Sequence, residues 1–244
     1  MATDRRTRKR DQRRDVLLDL AADLVEERGI AGLTMAALAE VGDYAPASLY
    51  TYFPSRHAVV AALQARALGV LGELGDASLE RWDVALAPTD ARGRRVAALA
   101  RLCAFGDLFL AAPTTHPREF RLQQELLATP EGDSGPAGDT VIAAAMAVLD
   151  LPRRLLAAAV EVKALGPAEP LRNASGDPVV GDMARTLTLV SALNGVLLLD
   201  RLGAVVPVPG PALGRDLTLS VLRGWGADPA LLATARSTVD DWNR

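Results

Sequence analysis

Apolar positions recur along most of this chain at helical spacing, and no stretch alternates with a period of two. Between residues 14 and 28, Leu17, Leu20, Ala21, Leu24 and Val25 fall on one face, while Asp15, Asp19, Asp23 and Glu27 repeat every fourth position on another. That pattern predicts an amphipathic helix, with Gly29 placed to stop it. Thr34 is a suitable N-cap for a short helix over 35–41, and Gly42-Asp43 is turn chemistry. Pro46 suits the first turn of a further helix to about Tyr52, because its missing N–H costs nothing there. Pro54 interrupts, and Ser55 can cap a longer helix from Arg56 to about Leu74. Two short helices around a tight turn, with others packed across them, make a helix-turn-helix pattern. Beyond residue 75 the periodicity predicts helices near 91–111, 117–129, 139–165 with a break or kink at Pro152, 181–203, 211–225 and 228–242, and no sheet. The expected fold class is all-α: a small helix-turn-helix domain over 11–72, a basic segment 1–10 before it, and a larger helical domain over 73–244.

Composition agrees with helix over strand: half of the 244 residues are apolar, but only 4% are aromatic. No run of 18 uninterrupted apolar residues is present, so no membrane span is expected. The charged start lacks the apolar core of a secretory signal, and the lone Cys103 excludes an intramolecular disulfide. A cytoplasmic protein with Cys103 as a buried apolar residue is the expectation, with a redox-sensing thiol as the minor alternative. The net charge of −3 conceals a local excess: residues 5–14 carry Arg5, Arg6, Arg8, Lys9, Arg10, Arg13 and Arg14 against Asp11 alone. The run reads either as a solvated tail or as an electrostatic footprint for phosphates.

All three tyrosines, Tyr44, Tyr50 and Tyr52, lie within nine positions, followed by Phe53. Their setting, "LTMAALAEVGDYAPASLYTYFPSR", resembles the DNA-binding core of the tetracycline-repressor (TetR) family of bacterial regulators. The match runs through Thr34, Leu38-Ala39, Leu49-Tyr50, Tyr52-Phe53 and Ser55-Arg56, and covers roughly the first 70 residues. On a helix from Pro46, Leu49 and Phe53 share a face and turn inward. Pro46, Ala47, Ser48 and Thr51 are left for a major groove about 12 Å wide. The resemblance implies phosphate contacts from Tyr50 and Tyr52, Thr34 capping the second helix near the DNA backbone, and Arg56 meeting a phosphate. Arg5–Arg10 would add minor-groove contacts, as homeodomain arms do. Tyr44 stands where the family usually has a small aliphatic residue and is expected to join the core. Asp43 replaces a glycine of the family turn, at a position where a left-handed residue is tolerated. Ala45 replaces the usual capping serine, removing an N-cap bond of about 1 kcal/mol. No groove-facing side chain has the bidentate fork that reads guanine or adenine, so direct base readout is thin.

The resemblance further implies a ligand-binding and dimerisation domain after residue 75, a double-stranded operator, a small effector and a homodimer. Leu187, Val190, Leu193, Leu197, Leu213, Leu217, Val221 and Trp225 are interface candidates; Phe105, Phe109, His116, Phe120 and Met146 are candidates to line an apolar pocket. No cofactor or metal is expected: the chain has no GxGxxG, no Walker loop and no Cys/His metal spacing. "GDSGP" at 132–136 looks like a serine-protease loop but belongs to β-barrel enzymes and finds no triad here. The "NAS" sequon at 173–175 has no meaning without secretion. An all-α enzyme or small-molecule-binding protein with a solvated basic tail is the rival to a ligand-released repressor.

Overall fold

The computed structural model describes residues 2–88, 90–128, 136–172, 174–179, 181–200 and 207–242. In chain order these form α1 (Ala2–Gly32), α2 (Met35–Gly42), α3 (Pro46–Leu49), α4 (Arg56–Ala85), α5 (Ala91–Thr115), α6 (Pro117–Ala128) and α7 (Pro136–Glu161). A short β1 (Leu171–Arg172) and β2 (Pro178–Val179) follow, then α8 (Gly181–Asp200), α9 (Gly210–Gly224) and α10 (Pro229–Trp242). The fold is all-α. The two strands form an antiparallel ladder of two residue pairs, Leu171 with Val179 and Arg172 with Pro178, too short to register as alternation. The "GDSGP" residues 132–135, Asn173 of the sequon and the expected α8 residues 201–203 lie outside the described residues.

The chain forms two compact units, Met1–Leu71 with His116–Val148, and Gly72–Thr115 with Leu149–Arg244. In the first, Leu17, Ala21, Leu24 and Val25 of α1 are buried together with Leu38, Ala39, Leu49, Phe53, Val59 and Leu63. The acidic stripe of α1 also docks neighbours: Asp19 pairs with Arg66 of α4 at 2.9 Å and Asp23 with Arg118 of α6 at 2.8 Å. With Leu122 buried in the same core, α6 packs in the N-terminal unit, although the sequence reading grouped it with 73–244. Helix α1 begins a full basic segment earlier than expected. Residues 5–14 contain neither Gly nor Pro, and arginine and lysine are good helix formers, so the segment continues the helix without an apolar face of its own. The basic arm expected over 1–10 is therefore helical from Ala2 onward. The stop at Gly29 is real: its φ of 69° and ψ of 174° break the helix where only glycine is unstrained.

The second unit is built around α5, whose Ala97–Ala100 and Leu102–Gly106 are buried against α8, α9 and α10. Glycines set the approach of α5 to α9. A Cβ on Gly106 would stand 2.8 Å from Thr218 Oγ1, and one on Gly214 would collide with Leu110 Cδ1. Asp107 of α5 ties the helices together, pairing with Arg236 of α10 at 2.8 Å and Arg215 of α9 at 3.2 Å. Cys103 is buried beside them, and burial pushes its thiol up to about 12, which agrees with a packing residue and not with a reactive thiol. Pro152 lies inside α7 without ending it; the helix closes instead at left-handed Lys163, after which Ala164 and Leu165 both donate to the Ala159 carbonyl. By length and composition α4, α5 and α8 are apolar enough to cross a membrane, a property that uninterrupted runs did not reveal; most of the apolar window of α5 is buried within the fold.

Candidate nucleic-acid interface

The α2–turn–α3 segment is built by local chemistry that the sequence announces. Thr34 is extended, with φ −118° and ψ 158°, and its hydroxyl accepts from the Ala37 N–H at 3.0 Å. Asp43 closes α2 in the left-handed region, φ 54° and ψ 44°, and the next N–H, that of Tyr44, returns to the Ala39 carbonyl at 2.9 Å. Pro46 then starts α3, and Ala45 supplies no side-chain cap. The α-helix proper is a single turn, shorter than the 46–52 expected. It tightens into i→i+3 bonds, Thr51 N–H to Ser48 at 3.3 Å and Tyr52 N–H to Leu49 at 2.9 Å. Packing holds so short an element. Leu49 and Phe53 are buried to within 1% of complete, and each such side chain contributes about 2–3 kcal/mol, more than the missing cap removes.

The opposite side is open. Pro46, Ala47, Ser48 and Thr51 are exposed, as are Thr34 and Ala36 of α2, and Tyr50 retains 54% of its surface. Thr51 is not free to read a base through its hydroxyl proton, which it donates to the Ser48 carbonyl. Two expected phosphate contacts have other uses. The Arg56 guanidinium turns inward, donating from Nε to the Leu33 carbonyl at 2.6 Å and from Nη2 to the Ile30 carbonyl at 2.7 Å. These carbonyls follow the break at Gly29, so Arg56 takes up acceptors that the helix end leaves open. Tyr52 is half-buried, edge-on to Tyr44 with ring centroids 6.2 Å apart at 77°, and it is the chief cause that raises the Arg13 guanidinium above its ordinary range. Tyr44 packs half-buried against the same core, as expected of it.

Arg5, Arg8, Lys9 and Arg10 are exposed along the first turns of α1; the Arg6 side chain lies outside the described residues. The sequence reading missed that this helix reaches back to α3. Arg10 Nη2 donates to the Thr51 carbonyl at 2.9 Å, and the Arg14 guanidinium sits 4.9 Å over the Phe53 ring. The signal was available: Arg10, Arg13 and Arg14 stand at i, i+3 and i+4, on one face of any helix through them.

Residues 17–63 match the model of the tetR family of bacterial regulatory proteins, a span that holds Thr34, the turn, α3 and the start of α4. That span is similar to the DNA-binding domain of the TetR family. No curated protein matches the sequence. Solved structures carry the likeness across the chain at the level of fold. A protein of unknown function from Rhodococcus sp. RHA1 is 22% identical with a TM-score of 0.60, covering 87% of this chain and 94% of its own. A tetR-family regulatory protein from Rhodococcus RHA1 is 12% identical at a TM-score of 0.57, covering 88% and 97%. SmeT, the repressor of the Stenotrophomonas maltophilia multidrug efflux pump SmeDEF, is 19% identical at 0.51, covering 85% and 88%. This chain thus shares the all-α fold of these structures.

The remaining candidates divide. Phe105, buried, and Phe109 lie 6.2 Å apart in the C-terminal unit, whereas His116, buried Phe120 and exposed Met146 belong to the N-terminal one, so the five do not share a unit. A cavity of about 470 Å³ in the C-terminal unit is lined instead by Gly166, Glu169, Leu171, Arg185, Thr188 and Trp225 among others. Arg185 stacks 5.2 Å over the Trp225 ring and donates to the carbonyls of Gly166 and Pro167 at 2.8 and 2.9 Å. Burial lowers its pKa, and the Glu169 carboxylate opposes that shift. Trp225, an interface candidate, is thus part of a cavity wall. Of the others, Leu193 and Leu197 are buried in their own unit, Val190, Leu213, Leu217 and Val221 are half-buried, and Leu187 is exposed. The outward face of α8 is Leu187, Ser191, Gly195 and Leu198, four positions that sequence alone did not separate from the core face.

Proposed function

We propose that this protein is a cytoplasmic, homodimeric transcriptional repressor that binds a two-fold symmetric operator and leaves it on binding a small ligand, and that it is not an enzyme. The observation that carries the reading is the exposed Pro46–Thr51 face, seated on buried Leu49 and Phe53 beside the capped α2. One turn of helix offers few atoms to DNA. Two copies about 34 Å apart, one duplex turn, supply the affinity that one lacks. Tyr50 is the phosphate contact on that face. Base readout rests on thymine-methyl contacts from Ala47 and Pro46, on Ser48, and on duplex shape.

The outward stripe of α8, Leu187, Ser191, Gly195 and Leu198, is the seat of the dimer contact, joined by half-buried Leu213, Leu217 and Val221 of α9. Small Ser191 and Gly195 between two leucines allow close approach of a partner helix. The effector is a small amphipathic molecule, and the cavity at Trp225 and Arg185 is its seat in the C-terminal unit. The repression reading is tested by titrating the protein onto the duplex upstream of its own gene from 50 to 200 mM salt. Sequence-preferring binding that weakens steeply with salt supports it; absence of binding at 50 mM salt rejects it.

A further inference from the structure

Three arginines of α1 meet three consecutive residues at the end of the recognition turn. Arg10 Nη2 donates to the Thr51 carbonyl at 2.9 Å. Arg13 is held above its ordinary guanidinium range chiefly by the neighbouring Tyr52. Arg14 lies 4.9 Å over the ring of Phe53, a cation–π distance. The arginines stand at i, i+3 and i+4 on a helix, and their partners run in order along the turn that leaves α3. Every rung uses a different chemistry: a carbonyl, a hydroxyl-bearing ring and an apolar ring. Thr51 and Tyr52 lie one and two residues beyond Tyr50, and α3 has neither an N-terminal side-chain cap nor a second helical turn to stiffen it.

We infer that Arg10, Arg13 and Arg14 form a clamp that fixes the exit of the recognition turn, and thereby the placement of Tyr50 and Ser48 on DNA; they are positioning residues that set specificity, not additional phosphate contacts. The inference rests on the regulator reading above and sharpens it: the basic segment acts on sequence preference through the protein. It also distinguishes these three from Arg5, Arg8 and Lys9, which lie farther along the helix and keep the electrostatic role.

The double variant R10M/R13M tests this, because both side chains are exposed and neither supports the core. Two measurements on the full chain are needed. Hydrogen exchange without DNA should speed up at least fivefold in the amides of 50–53 while amides of α5 keep their rates. Duplex titration should show the ratio of operator to mismatched affinity falling about tenfold or more, with the salt slope changed by less than one unit. Unchanged exchange at 50–53 overturns the clamp. Equal weakening on both duplexes, with the slope falling by about 0.9 per arginine removed, overturns the specificity role and returns these residues to the phosphates. A wild-type protein that binds no duplex sinks the regulator reading and the specificity role together, and the exchange result then still decides whether the clamp exists.

Discussion

Asp228 opens α10 by accepting from the backbone N–H groups of Leu231 at 3.0 Å and Ala230 at 2.9 Å. The bond from Leu231 is the largest cause of a carboxyl pKa held below its usual 3.8; Ala230, Arg95 and Arg92 add to it against desolvation. The sign follows from linkage: a folded-state pKa below the unfolded one stabilises the fold above the unfolded value and loses that effect as pH falls through the folded one. Asp228→Ala should therefore melt at a lower temperature than wild type at pH 7, and the gap should narrow as the pH is taken below 3.8. A gap that stays constant into acid would show that the carboxylate charge is not what caps α10. Other single-residue roles were legible from identity and position alone, because they depend on neighbours within four residues. Thr34 caps, Asp43 takes the left-handed turn and Ser55 accepts from the Ala58 N–H at 3.1 Å. Arg56 and Tyr52 were not legible in the same way. A long polar side chain has several partners within reach, and only the fold determines that carbonyls 30 and 33, or Arg13, come first.

At the scale of elements, α9 and α10 appeared in the sequence within a few residues of their observed limits, whereas α4, expected to end near Leu74, runs on to Ala85. The misjudged limits of α1 and α3 have opposite causes. The basic start of α1 has no apolar periodicity to betray it, yet it is helical because favourable residues extend an existing helix at little cost once nucleation has occurred. The reverse holds for α3: Pro46–Tyr52 contains enough helix signal for two turns, but burial of Leu49 and Phe53 permits one turn and then a tighter bend. Pro152 carries the expectation of a break or kink, and of the two the break is absent: α7 runs through it. The outer and inner faces of α8 were indistinct because the helix is apolar nearly all round, and periodicity carries no information when few positions are polar.

For the whole chain, the regulator reading requires a second copy, and the exposed apolar stripe of α8 is the surface that would receive it. Leu198 retains 63% of its surface and Leu187 45%, without a partner role in the core. Leu198→Arg should convert a dimer to a monomer in sedimentation velocity at micromolar concentration, with helical content unchanged and operator affinity reduced by at least tenfold. An unchanged sedimentation coefficient would move the dimer contact elsewhere. The ligand candidates were the least legible: they were picked by residue type and fall in two different units, whereas the described cavity is lined by residues brought together from 166–188 and 224–226, the Arg185–Trp225 pair among them.

The central claim is that the exposed turn Pro46–Thr51 lies on DNA with Tyr50 on a phosphate. Tyr50→Phe removes a single hydroxyl from a side chain with 54% of its surface exposed, and leaves the buried anchors untouched. Fluorescence anisotropy at fixed salt should show binding to the operator duplex and to a mismatched duplex weakened by the same factor, about threefold to tenfold, with the melting temperature unchanged. Affinity equal to wild type on both duplexes would contradict the account, because the exposed hydroxyl assigned to a phosphate would then make no contact with DNA.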